Sequence, residues 1–170
     1  MSWIQTYTGK QFWPLDPRAE HVDIADIAHS LSLQCRFNGH CRSFYSVAEH
    51  CVRVSEIVAA EHALWGLLHD AGEAYLADLP RPIKGRLDAY GRLEDRVLAK
   101  IAEAFGLSWP IPADVHRADD ILLATESRDL MAAPPAPWGL REQPLAATID
   151  PKPPEDAERA YLERFARLRG

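Results

Sequence analysis

The chain has 170 residues, of which 47% are hydrophobic and 26% charged, a balance that suits one domain built around a single core. Its net charge of −6 offers no basic stripe to neutralise a phosphate backbone, which argues against a general nucleic-acid binder. No apolar run approaches the roughly 18 residues that span a bilayer, and the opening MSWIQTYTGK lacks the apolar stretch of a signal peptide. Cys35, Cys41 and Cys51 form no CxxC pair. They read as reduced thiols of a cytoplasmic protein, with Cys35 and Cys41 as alternative zinc donors.

In chain order, residues 3–13 (WIQTYTGKQFW) alternate loosely around Gly9-Lys10 and allow a small β-hairpin, marginal unless it packs on the body. Asp23 is a good N-cap for a helix with apolar positions at Ile24, Ile27, Ala28, Leu31 and Cys35, and Asn38-Gly39 is its stop. Ser46 opens VAEHCVRVSEIVAA with Glu49 placed for a capping box, and His50 lies at the edge of the stripe Val47, Cys51, Val54, Val58. A third helix over 61–76 is nearly all apolar from Ala63 to Leu68, which predicts a central, buried element carrying His69, Asp70 and Glu73 near its end.

The two prolines in DLPRPIK (78–84) predict an irregular turn. Helices follow over 89–105, closed by Gly106, and over 113–131, which carries Asp119 and Asp120. Residues 132–154 are proline-rich and read as a long loop over the body. The stretch 155–169 reads as a C-terminal helix with acids first and Arg167 and Arg169 last. The fold class is therefore all-α, a compact helical bundle with a small N-terminal β-hairpin, in one domain spanning 1–170.

The chemistry concentrates in one pattern: His50, then His69-Asp70, then Asp119-Asp120. Neutral imidazoles with carboxylates suit divalent transition metals and leave positions open for water and a phosphoryl oxygen. His69 and Asp70 follow directly on the apolar LWGLL, so the helix delivers a carboxylate into or beside the core. That is costly unless the carboxylate is paired or bound to a metal. Adjacent His and Asp can both reach one ion if the helix end tightens. Glu73 shares their face and is placed to act as an acid or base beside it. The alternative is a helix-capping His-Asp pair with a solvated Glu73 and an Asp119-Asp120 pair on a polar helix face.

SVAEH (46–50), LLHDAGEAYLADLPRPIK (67–84) and VHRADDILLATESRDL (115–130) resemble the HD-domain phosphohydrolases. WIQTYTGKQF and CRFNGHCRSFYSVAEH extend the likeness to small bacterial and phage enzymes that hydrolyse deoxynucleotides. These include deoxynucleoside 5′-monophosphatases and phage dATP triphosphohydrolases. The resemblance covers residues 1–131 and implies a compact HD-domain bundle. It implies one divalent metal (Co, Mn, Zn, Fe or Ni, with Mg a further candidate) held by His50, His69, Asp70 and Asp119. Asp120 remains the rival of Asp119, and its other role is a solvent-facing carboxylate.

The same resemblance implies that Glu73 handles the attacking water and that Asp78 protonates the leaving oxygen or holds the sugar. Asp78 also suits a turn before Leu-Pro. Arg36 and Phe37 resemble a sugar- and base-lining pair. Arg81 and Lys84 would offset phosphate charge, and Pro82 would stack on a base. Phe37 as core and Arg81 as solvated are the other readings. Phe37 stands where the monophosphatases have Trp, and Gly39 where adenine-selective enzymes carry a larger residue, which weakens strict dATP selectivity. Ala-Gly after His-Asp disfavours a cyclic-di-GMP phosphodiesterase. The implied activity is release of phosphate from deoxynucleoside 5′-monophosphates, with triphosphate release from dNTPs as the alternative and a non-catalytic nucleotide or metal sensor as the reading of another class. The implied partner is a small nucleotide, in a homo-oligomer. Trp138 in the proline-rich loop is placed either to close a pocket or to fill a subunit interface.

Overall fold

The computed structural model describes residues 2–170. The N-terminal hairpin is only two residues deep on each side, β1 (Ile4–Gln5) against β2 (Gln11–Phe12), antiparallel with Ile4 opposite Phe12. A hairpin this short is marginal alone. It holds because Phe12 is fully buried and stacks on Tyr75 at 3.9 Å between centroids, and because Thr8 donates backbone and side-chain hydrogen bonds to the buried Asp26.

Helix α1 (Ile24–Leu33) starts as its sequence requires, with Asp23 accepting from the Ala25 amide at 2.9 Å. It stops well before Asn38-Gly39. The backbone of Cys35 pairs instead with Ser46, and the amide of Arg36 donates to Tyr45, so the chain turns back in an extended clasp. Helix α2 (Val47–Ile57) is capped by Ser46 Oγ, which accepts from the Glu49 amide. The reciprocal half of the capping box is not made. The Glu49 carboxylate turns to Arg53 and to the amide of Lys152, tying the proline-rich segment to α2.

The helix predicted over 61–76 is two helices, α3 (Ala63–Leu68) and α4 (Glu73–Leu76). Between them the amides of Ala71 and Glu73 reach back only three residues, to Leu68 and Asp70. This tightening is what lets neighbouring side chains point at one centre. DLPRPIK is likewise not wholly irregular. Arg81–Lys84 form one helical turn, α5, with Pro82 in its first positions where no amide is needed. Helix α6 (Asp88–Phe105) ends at Gly106 in the left-handed conformation (φ +68°), and α7 (Ala113–Leu130) and α8 (Pro154–Arg169) complete the fold.

The fold is all-α with a small β-hairpin. Helix α2 lies at its centre, against α1, α3, α7 and α8. Gly66 permits a close crossing of α3 over α2, since a Cβ there would stand 2.8 Å from Ser55 Cα. Helix α8 closes the core with the fully buried Tyr161, whose hydroxyl donates to the Leu67 carbonyl at 2.8 Å. Among the described residues no helix is long and apolar enough to cross a membrane.

Candidate metal centre and its pocket

Four side chains from three elements converge where α2, the α3–α4 turn and α7 meet. His50 Nε2 lies 3.3 Å from His69 Nε2, 3.2 Å from Asp119 Oδ1 and 3.8 Å from Asp70 Oδ2. His69 Nε2 lies 3.3 Å from the same Asp70 oxygen. His50 is fully buried and His69 nearly so, while Asp70 and Asp119 keep one edge open. Asp120, the rival in sequence, points outward to Arg81 at 3.4 Å, and its side chain is half-exposed.

The other ring nitrogens fix the tautomers. His69 Nδ1 lies 2.8 Å from the Gly66 carbonyl, which can only accept. His50 Nδ1 lies 2.6 Å from the Glu126 carboxylate. Both Nδ1 atoms therefore carry hydrogen, and both Nε2 atoms face one another with two carboxylate oxygens beside them. Such a group repels itself unless positive charge sits in its midst. Ligands about 2.0–2.2 Å from one ion stand about 3.0–3.5 Å apart, which is close to the spacing of these atoms. His50, His69 and Asp119 present donor atoms close enough together to hold one divalent cation, while Asp70 groups with His69 and Cys51 on its flank.

The electrostatics agree. Burial opposes ionisation of Asp70, but His69, His50 and Arg36 hold its carboxyl well below the usual range. Burial is likewise outweighed at Asp119, where His50 and His69 lower the carboxyl, and at Glu126, where Arg36 and His50 do so. Burial and Arg36 would lower His50, but Glu126 and Asp119 raise it; burial would lower His69, and Asp70 raises it well above its ordinary value. The cluster draws a proton or a cation to its centre.

This centre forms the floor of a cavity of about 810 Å³. Of the eleven residues singled out from sequence, nine line it: Arg36, Phe37, Asp70, Glu73, Asp78, Arg81, Pro82, Lys84 and Asp119. His50 and His69 lie beneath. Arg36 is already engaged, donating to Glu126 at 3.2 Å and to Asp70 at 3.4 Å. Lys84 pairs with Glu94 at 2.7 Å, and Arg81 with Asp119 at 3.1 Å. Glu73 Oε2 is buried with no hydrogen-bond partner, and burial together with Asp70 and Asp78 pushes its carboxyl well above the usual range. Asp78 follows Ala77, a non-glycine residue in the left-handed region (φ 64°) whose carbonyl, with that of Leu76, accepts from the Tyr90 hydroxyl.

The sequence reasoning missed Glu126. It sits seven residues after Asp119, two turns along the same helix face, and that spacing was the available signal. It also gave no role to Cys51, whose thiol shares His69 and Asp70 as neighbours and is pushed up to about 11 by burial.

No family model matches the chain. It is 42% identical over 169 residues to the uncharacterized protein YfdR of Escherichia coli K12, an alignment covering 97% of this chain and 94% of that protein. The chain belongs to the YfdR family. A second relative of this YfdR-family chain, an uncharacterized protein of Rhodobacter capsulatus, is 36% identical over 127 residues, covering 69% of this chain and 65% of the relative.

Proposed function

We propose that the protein is a metal-dependent phosphohydrolase of the HD-domain type that releases phosphate from deoxynucleoside 5′-monophosphates. The observation that carries this reading is the pair of facing imidazole Nε2 atoms, 3.3 Å apart and flanked by Asp70 and Asp119, at the floor of a pocket lined by a buried carboxyl and by cations. A divalent ion in that cluster would supply Lewis acidity, lowering the pKa of a water and polarising a phosphoryl oxygen.

The chain's own residues supply the rest. Arg81 and Lys84, on the rim, attract the phosphate and hold it over the floor; their present partners, Asp119, Asp120 and Glu94, are exchanged or shared when it enters. Glu73 keeps a proton at Oε2 or receives one from the attacking water, because its carboxyl is tuned upward by burial beside Asp70 and Asp78. Asp78, on the exposed side of the pocket, passes the proton that Glu73 takes from the water on to the leaving 5′-oxygen. Attack at the α-phosphorus also serves a dNTP, but the structure offers little charge for two further phosphates. Arg42 spends its guanidinium on the Met131 carbonyl, and Arg36 is held by two carboxylates. A cytoplasmic homo-oligomer belongs to the same reading, supported by three free cysteines and by the exposed Trp3, Tyr7 and Leu33.

The test is release of phosphate and triphosphate from all dNMPs, NMPs and dNTPs by stripped protein resupplied singly with Mn²⁺, Co²⁺, Zn²⁺ and Mg²⁺. Phosphate from monophosphates is the expected result. Triphosphate from dNTPs would move the assignment to a triphosphohydrolase, and silence with every metal would move it to a nucleotide or metal sensor.

A further inference from the structure

Two aromatic rings from distant parts of the chain meet at the pocket. The centroids of Phe37 and Trp138 are 6.0 Å apart and their planes are inclined by 58°. Phe37 is held rigidly. It has φ 53° and is followed by Asn38 at φ 51°, so two successive non-glycine residues occupy the left-handed region. The Cys35–Ser46 bridge and the bond from the Arg36 amide to the Tyr45 carbonyl anchor this turn, and the Arg36 guanidinium lies 5.5 Å from the Phe37 ring centre.

Trp138 is held differently. It sits between Pro137 and Gly139 (φ +68°) and is 43% exposed. The loop is pinned at its two ends, by Arg42 on the Met131 carbonyl and by Arg128 on the carbonyls of Leu145 and Ala147. Behind the indole lies a second cavity of about 420 Å³, between the loop and Ser127 and Arg128 of α7. Trp138 thus partitions two cavities, with Phe37 and the pocket on one side and unfilled space on the other.

A planar ring stacked between two others needs two van der Waals spacings, about 7 Å between the outer rings. The present 6.0 Å is short of that, and the tilt closes it further. The indole must swing back by an ångström or more and turn through the 58° that now separates the two planes, and the cavity behind it receives that movement. We propose that Phe37 and Trp138 are the fixed and moving jaws of a clamp for a planar heteroaromatic ring. That this ring is the nucleobase of the substrate rests on the phosphohydrolase reading. Stacking recognises ring area and not base edges, so the clamp accepts all bases and favours purines over pyrimidines.

The test uses the full-length protein with deoxynucleosides that carry no phosphate, and then with their monophosphates. Deoxyadenosine quenches the tryptophan emission of the wild-type protein, and the quench is lost in Trp138→Phe while binding persists. Trp138→Ala raises KM about tenfold for dAMP, less for dCMP, and lowers by about the same factor the kcat/KM ratio of dAMP over glycerol phosphate. Trp138→Phe recovers most of that ratio. An unchanged KM in Trp138→Ala, together with no quench by any nucleoside, overturns the clamp while leaving phosphate release standing. A quench that depends on Trp138 in a protein that hydrolyses no phosphate ester sustains the clamp and overturns the phosphohydrolase reading.

Discussion

Glu126 and His50, 76 residues apart in the chain, meet at 2.6 Å with neither side chain exposed to solvent. The carboxylate fixes the ring so that Nε2 presents its lone pair to Asp119 and His69, and it makes that nitrogen a stronger donor. Glu126→Gln keeps the shape and removes the charge. Its divalent-metal affinity is expected to fall 10- to 100-fold with the fold retained. A competition titration against a chromophoric chelator, with circular dichroism alongside, measures both; unchanged affinity would mean that something other than Glu126 orients His50. Glu126→Ala goes further, because it leaves Arg36 with Asp70 as its remaining carboxylate beside an empty place in the core, and a loss of about 1–3 kcal/mol of stability is expected.

Asp119 and Asp120 are neighbours in sequence with opposite surroundings, one 3.2 Å from His50 Nε2 and the other facing solvent beside Arg81. Asp119→Asn is expected to lose bound metal and phosphate release together, as are His50→Ala and Asp70→Ala. Asp120→Asn is expected to keep its metal. Elemental analysis of the purified variants compares them directly, and full activity in a metal-free variant would sink the assignment.

Gly66 lies where α3 crosses α2, and a Cβ there would stand 2.8 Å from Ser55 Cα and 2.9 Å from Val58 Cγ1. Backbone cannot yield as a flexible side chain can. Gly66→Ala is therefore expected to destabilise by about 1–3 kcal/mol in spite of the better helix propensity of alanine. Because the Gly66 carbonyl also accepts from His69 Nδ1, metal affinity should fall with it. Urea unfolding and metal titration of the one variant read both effects; a variant more stable than wild type would contradict the crossing geometry.

Asp23 caps α1 and pairs with Lys10 at 2.9 Å, and these contacts hold its carboxyl below its ordinary value. A carboxyl lowered in the folded state contributes stability that is present above its unfolded pKa of about 4 and is lost as pH falls through the folded value. Asp23→Ala is expected to cost about 1 kcal/mol at pH 7. The gap between variant and wild type should narrow below about pH 4. Thermal unfolding across pH 3–7 tests this, and a gap that widens on acidification would show that the ionised carboxylate is not what stabilises the helix start.

Much of the fold is local in origin and was legible in the chain. Apolar spacing marked α1 and α2, acids first and arginines last marked α8, Asp23 and Ser46 marked two starts, and Gly106 marked the end of α6. Continuity was not legible. The run from Glu61 to Leu76 carries no residue that must break a helix, and it breaks after Leu68 because the turn at His69–Gly72 is shaped by what it packs against. Nor was the end of α1 legible, since the clasp that stops it pairs Cys35 with a residue eleven positions on.

By itself the sequence determined which residue types were available for chemistry: two imidazoles, a His-Asp step behind an apolar helix, and later carboxylates. Local rules suffice for that because burial of an apolar helix carries its neighbours inward. Only the tertiary structure decided which of them meet. It turned Asp119 inward and Asp120 outward on one helix and brought Glu126 under His50. It committed Arg42 to the Met131 carbonyl and set Trp138 against Phe37 across 101 residues of chain. Those choices rest on packing and on pairing of buried charge between elements far apart in sequence, where no periodicity reaches.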